Sequence, residues 1–156
     1  DDDVTEVYSS SMQTEIETIV SECEILKKRG NEAFGTGEYG QAILQYSLSI
    51  DKAAELPNSS LFATDIVLSN RSAAFLKLGQ HEKAEGDAKA ALKLNPDNVK
   101  ALFRLGLALH AAGQYESAMP ILGQALQREP HNKQIQQAVK FCEVRLEQER
   151  RKRMEQ

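Results

Sequence analysis

The strongest constraint on this chain is that it repeats itself. The strings GTGEYGQAILQYSLSI, KLGQHEKAEGDAKAAL and AAGQYESAMPILGQAL align on Gly37, Gly79 and Gly113, and again on Ala42, Ala84 and Ala118. The last step is 34 residues and the first is 42. The additional eight residues fall around ELPNSSLF, where Pro57, Asn58, Ser59 and Ser60 supply turn chemistry that tolerates an insertion. Each unit reads as two antiparallel helices joined at a Gly-containing turn. In the third unit Ala101, Leu102, Leu105 and Leu109 mark one apolar stripe, and Ala118, Ile121, Leu122 and Ala125 mark the next. Pro57, Pro96 and Pro130 then close the second helix of each unit, because proline removes a donor and restricts the residue before it.

With these residues in view, the chain resembles the tetratricopeptide repeat family, whose unit runs W-x2-L-G-x2-Y, A-x3-F, then P. The resemblance covers residues 23–130. Leu102, Leu105, Gly106, Ala118, Ala125 and Pro130 fit the third repeat, and Leu26, Gly30, Ala42 and Tyr46 fit the first. The second departs most, with Ser72 where Gly is usual and Ala88 where an aromatic is usual, and no repeat has the Trp. The resemblance implies an all-α fold: three helix-turn-helix repeats over 13–131 (about 23–57, 65–96 and 99–130) in a right-handed superhelix, with a long C-terminal capping helix over 132–156. Ile135, Ala138, Val139, Cys142 and Leu146 give that last helix a stripe to lay on the final repeat. Beyond Leu146 the sequence EQERRKRMEQ is too polar to pack, so the helix is expected to run on into solvent. The pattern MQTEIETIVSECEILKK is expected to extend the first helix backward, and residues 1–12 to form a disordered acidic tail.

Composition removes several function classes. At 156 residues, with 41% apolar and 27% charged side chains, the chain reads as one soluble folded domain. Cys23 and Cys142 make neither a disulfide framework nor a metal spacing, so a reducing compartment is expected. A net charge of -4 lacks the basic footprint of nucleic-acid binding. No apolar run is long enough to span a membrane, and the first ten residues are acidic where a signal peptide would be basic and then apolar. The expectation is a cytoplasmic monomer with no nucleic-acid or membrane partner and no cofactor.

Most motifs are bland. Gly35, Gly37 and Gly40 match G-x-G-x-x-G, yet a dinucleotide fingerprint needs a strand before it and here it falls in a helix-helix turn. The sequons at Asn58 and Asn70 have no secretory route to use them. His81, His110 and His131 lack ligand-spaced partners, and no Ser or Cys has an identifiable base, so neither a metal site nor an enzyme is expected. Arg150, Arg151, Lys152 and Arg153 alternate with glutamates, as on a solvated helix end.

The informative constellation lies on the first helix of each unit, the helix that lines the concave face of such a solenoid. Lys27 and Asn31 share a face at i and i+4, Asn70 stands on the corresponding helix of unit two, and Lys100 and Arg104 again share a face at i and i+4. Lysine supplies compact charge, arginine a planar fork, and asparagine can donate to an oxygen or accept from a peptide N–H. Two cationic pairs flanking an amide suit a pair of neighbouring carboxylates, such as a C-terminal Asp carries on one residue. Position by position these five residues resemble the dicarboxylate clamp of tetratricopeptide co-chaperones. That resemblance implies a co-chaperone adaptor binding the Glu-Glu-Val-Asp tail of cytosolic heat-shock chaperones of the seventy- or ninety-kilodalton class. Phe34, Lys77, Phe103 and Leu107 are candidates to shape the rest of the groove. The alternative is a generic tetratricopeptide scaffold for another helix or an acidic peptide, and a catalytic domain would have to lie elsewhere in a parent chain.

Overall fold

The computed structural model describes residues 8–156, and among them it contains seven α-helices and no strand. They are α1 (Ser10–Gly35), α2 (Tyr39–Ala53), α3 (Thr64–Lys77), α4 (His81–Leu94), α5 (Val99–Ala111), α6 (Tyr115–Arg128) and α7 (Lys133–Met154). Each helix packs on its successor, and α3 also packs on α1 and α5, so the first helices of the three pairs form one layer. Of the tail expected over 1–12, residues 1–7 lie outside the described residues. Ser10, Ser11 and Met12 are already helical, because the Ser9 hydroxyl caps α1 by accepting from the Met12 N–H at 3.3 Å.

The aligned glycines mark one recurring turn. Gly37, Gly79 and Gly113 have φ of 81°, 72° and 80°, a left-handed conformation that costs other residues about 1–2 kcal/mol. After each, the next N–H reaches back to the last helical turn: Glu38 to the Ala33 carbonyl, Gln80 to Phe75 and Gln114 to Leu109, all at 2.9 Å. The glycine N–H also bonds three residues back, so two otherwise unpaired carbonyls of each first helix are satisfied.

Within each pair the helices approach closely at one position. A Cβ on Gly30 would meet the Tyr46 ring at 2.5 Å, and one on Gly106 would overlap Leu122. The middle repeat solves the same contact differently. There the aligned positions carry Ser72 and Ala88, both fully buried, and the Ser72 hydroxyl donates to the Ala84 carbonyl at 2.7 Å. The two departures from the repeat pattern are therefore complementary, one side chain growing where its opposite shrinks.

The insertion after α2 is anchored. Asn58 caps a short 3-10 turn, Ser59–Leu61, and Phe62 then enters the core beside Cys23, Val67, Ile19 and Leu56. The backward extension of α1 supplies Ile19, so the longer helix and the insertion serve one another. Further along, the Ser49 hydroxyl donates to the Cys23 carbonyl at 2.9 Å, and Lys52 pairs with Glu22. Arg71 bolts three helices together. Its fork meets both Asp87 oxygens at 2.7 Å and its third nitrogen donates to Ser47 at 3.1 Å.

Two main apolar clusters result, one around α1 and α2 and one around α5, α6 and α7. Between them runs a thin seam of Leu68, Ala91 and Ala101. On α7, Ile135, Ala138, Val139 and Cys142 are buried as the stripe implies. The polar end of α7 is exposed from residue 150 onward, and its side chains touch the start of α6 at two places, where Arg145 donates to the Tyr115 hydroxyl and Arg153 pairs with Glu116, each at 3.2 Å. Both cysteines are free thiols, and burial raises their pKa.

Overfilling the middle repeat tests its complementarity. Ala88→Leu is expected to destabilise the chain by about 1–3 kcal/mol, and Ser72→Gly in the same chain to recover part of that loss. Urea midpoints of wild type, both single variants and the double variant check it; strictly additive effects would contradict a shared contact.

Candidate functional site

The layer of first helices carries a groove of about 310 Å³. From α1 come Asn31 and Phe34, from α3 Asn70 and Ala73, from α5 Lys100 and Arg104, and from behind them Tyr46 of α2. Residues more than seventy positions apart in sequence meet here because α3 packs on both α1 and α5.

Tyr46 sets the orientation of the first amide. Its ring is held under Gly30 and its hydroxyl donates to Asn31 Oδ1 at 2.7 Å. Asn70 Nδ2 donates to the same oxygen at 3.1 Å. With its carbonyl engaged twice, Asn31 turns its amide N–H groups away as donors, and Asn70 keeps its own carbonyl as an acceptor. Burial pushes the Tyr46 phenol up to about 12, which keeps it protonated and donating. Tyr46 was legible in the sequence as a repeat residue, but its polar role shows only once its hydroxyl is seen to need a partner.

Arg104 is the unusual member. It forms no ion pair among the described residues, its Nε is buried without a hydrogen-bond partner, and its guanidinium lies 5.6 Å from the Phe103 ring centre. Burial lowers its pKa, yet guanidinium remains charged in any protein setting. An under-partnered cation beside exposed Lys100 and two oriented amides is an arrangement that takes an anion with several oxygens.

The other residues singled out in the sequence fall around this groove in different ways. Lys27 stands one turn before Asn31 but pairs with Glu24 at 2.8 Å, outside the lining. Phe34 lines the groove and meets Tyr39 edge-on at 5.3 Å. Lys77 is exposed in the last turn of α3, beyond the lining. Phe103 and Leu107 face a neighbouring cleft, between α5 and α7, that shares Arg104. The Gly35 to Gly40 string spans the α1–α2 turn, with no strand before it.

Three comparisons bear on the chain. The family model for the tetratricopeptide repeat matches residues 71–133. The small glutamine-rich tetratricopeptide repeat-containing protein 2 of Mycosarcoma maydis is 37% identical over 81% of this chain and 34% of its own length. The chain thus spans about a third or less of the curated relatives it matches. The crystal structure of the Sgt2 TPR domain from Aspergillus fumigatus superposes with a TM-score of 0.73 at 32% identity, covering 83% of this chain and 82% of that one. A third likeness is the first TPR of Spaghetti, bound to the HSP90 peptide SRMEEVD: TM-score 0.73, 27% identity, 81% of this chain and 94% of that one.

Removing the Tyr46 hydroxyl has a pH signature. Its folded pKa lies above the ordinary value near 10, so the phenol contributes stability below about pH 10 that is lost as the pH climbs toward 12. Tyr46→Phe is expected to cost about 1 kcal/mol at neutral pH, from the lost bond to Asn31, and to flatten the alkaline fall. Urea unfolding of both proteins at pH 8, 10 and 11.5 checks it.

Proposed function

The chain belongs to the tetratricopeptide repeat family, and from that premise we propose that it binds the carboxyl-terminal Glu-Glu-Val-Asp tail of cytosolic heat-shock chaperones of the seventy- or ninety-kilodalton class. It acts as the adaptor part of a longer co-chaperone in the cytosol, recognising a peptide terminus rather than transforming a substrate. The observation that carries this reading is Arg104, charged and without an anion of its own, in one groove with Asn31, Asn70 and Lys100. The bound peptide of the similar Spaghetti domain ends in the same four residues, which supports the choice of ligand.

In this reading Lys100 and Arg104 hold one carboxylate of the terminal Asp, and the outward amide of Asn31 donates to the other. The Asn70 carbonyl accepts a peptide N–H. Lys27 joins by leaving Glu24, an exchange that costs little because surface ion pairs are weak. Phe34 and Lys77 border the path of the preceding residues. No cofactor takes part.

The test is a calorimetric titration with Ser-Arg-Met-Glu-Glu-Val-Asp, once with a free carboxyl terminus and once amidated, at two salt concentrations. The free peptide is expected to bind, more weakly at high salt, and the amidated one not to bind. Arg104→Ala is expected to cost about 2–5 kcal/mol, enough to erase a micromolar affinity of about -8 kcal/mol while the helix content stays unchanged. Equal binding of free and amidated peptides would instead favour a scaffold for acidic segments.

A further inference from the structure

The cations on the two sides of the groove are in different states. On α5, neither Lys100 nor Arg104 forms an ion pair among the described residues. On α1 the cation is engaged: Lys27 Nζ lies 2.8 Å from Glu24 Oε2, three residues earlier on the same helix. That pair draws the ammonium back toward the start of α1, whereas Asn31, which lines the groove, stands one turn further on. Among the described residues no carboxylate lines the groove itself. Nearby Glu22 is committed elsewhere, to Lys52 of α2 at 2.9 Å. Glu24 is therefore the acid that already occupies one of the cations a carboxylate ligand would use.

We propose that Glu24 is an internal competitor for the ligand: its carboxylate holds Lys27 in the empty chain and sets the affinity for an acidic chain end below what the same groove would otherwise have. The proposal rests on the anchoring groove described above and assigns its regulation to a residue outside the lining. The chemistry is an exchange of like for like. A carboxylate of the ligand replaces a carboxylate of α1 on the same ammonium, so what the new bond contributes is offset by the loss of the old one. The exchange still goes forward, because an i, i+3 pair on a helix surface is weak and the Glu24 side chain, 52% exposed, returns to water when displaced. Lys100 and Arg104 have no internal acid to give up. The groove is thereby asymmetric, with free cations on α5 and, on α1, a cation released only when the ligand arrives. Glu24 acts solely through Lys27, so its effect exists only where that ammonium is present.

A double-variant cycle tests the exchange. Ser-Arg-Met-Glu-Glu-Val-Asp, labelled at its amino end, is titrated by fluorescence anisotropy against wild type, Glu24→Gln, Lys27→Ala and the double variant, with the amidated peptide alongside. Glu24→Gln is expected to tighten the free-carboxyl peptide about two- to threefold, the size of one ion pair on a helix. In the Lys27→Ala background the same substitution is expected to change nothing, because no ammonium is left to compete for. Glu17→Gln removes the same charge from an exposed position two turns earlier on α1, and is expected to leave binding at the wild-type level. If Glu24→Gln left the free peptide unchanged, or tightened it equally with and without Lys27, the competition would be overturned while the preference for a free carboxyl end kept the groove. If wild type bound the free and amidated peptides alike, the anchoring groove itself would fall, and Glu24 would have no ligand to compete with.

Discussion

Each helix pair in this chain closes on a point where one partner contributes almost no side chain. Gly30 lies against Tyr46 and Gly106 against Leu122, and in the middle pair the aligned positions carry Ser72 and Ala88, both fully buried. These contacts set how closely the second helix of each pair approaches the first, and so how the first helices line up beside one another. Asn31, Asn70 and Arg104 stand within two positions of these crossings. The polar face inherits its geometry from apolar packing on the opposite side of the same helices. Tyr46 joins the two directly, with its ring in the crossing and its hydroxyl on Asn31.

Two arginines show how the fold divides its cations. Arg71 is spent on structure, forked onto Asp87 and reaching Ser47 across the repeat boundary. Arg104 receives no carboxylate and keeps a buried nitrogen unpaired. Leaving such a donor without a partner costs on the order of 1–3 kcal/mol, an amount a folded domain tolerates where an incoming oxygen removes it. Their sequence contexts look alike, both on first helices and both near an apolar residue, and only the fold tells them apart.

What could be read in advance follows from which interactions are local. The turn glycines were legible because a left-handed backbone demands them at the same place in every unit, and the i and i+4 spacing of Lys100 and Arg104 placed both on one face. Ser72 and Ala88 looked like two lapses because their compensation spans sixteen positions and two helices. The anchored insertion was hidden for the same reason: nothing near Phe62 announces that α1 extends back to bring Ile19 onto the same cluster. Lys27 was matched by position, but Glu24 beside it competes for the same charge. The two contacts made by the exposed end of α7 could not be read in advance, because their partners, Tyr115 and Glu116, lie thirty or more residues back. The second cleft had no spacing to betray it, being assembled from a repeat helix and from a helix outside the repeat.

The thin seam of Leu68, Ala91 and Ala101 has a mechanical meaning. In a linear stack, stability is approximately a sum of the repeats' own stabilities and the terms of their neighbouring interfaces. Here Leu68, Ala91 and Ala101, with Ile50 and Leu92 packed against them, join the two thick clusters. Asn31 belongs to one segment, Lys100 and Arg104 to the other, and Asn70 sits at the joint itself. Anything held by all four spans both clusters, so occupancy of the groove adds a tie between segments that the fold otherwise joins through this seam.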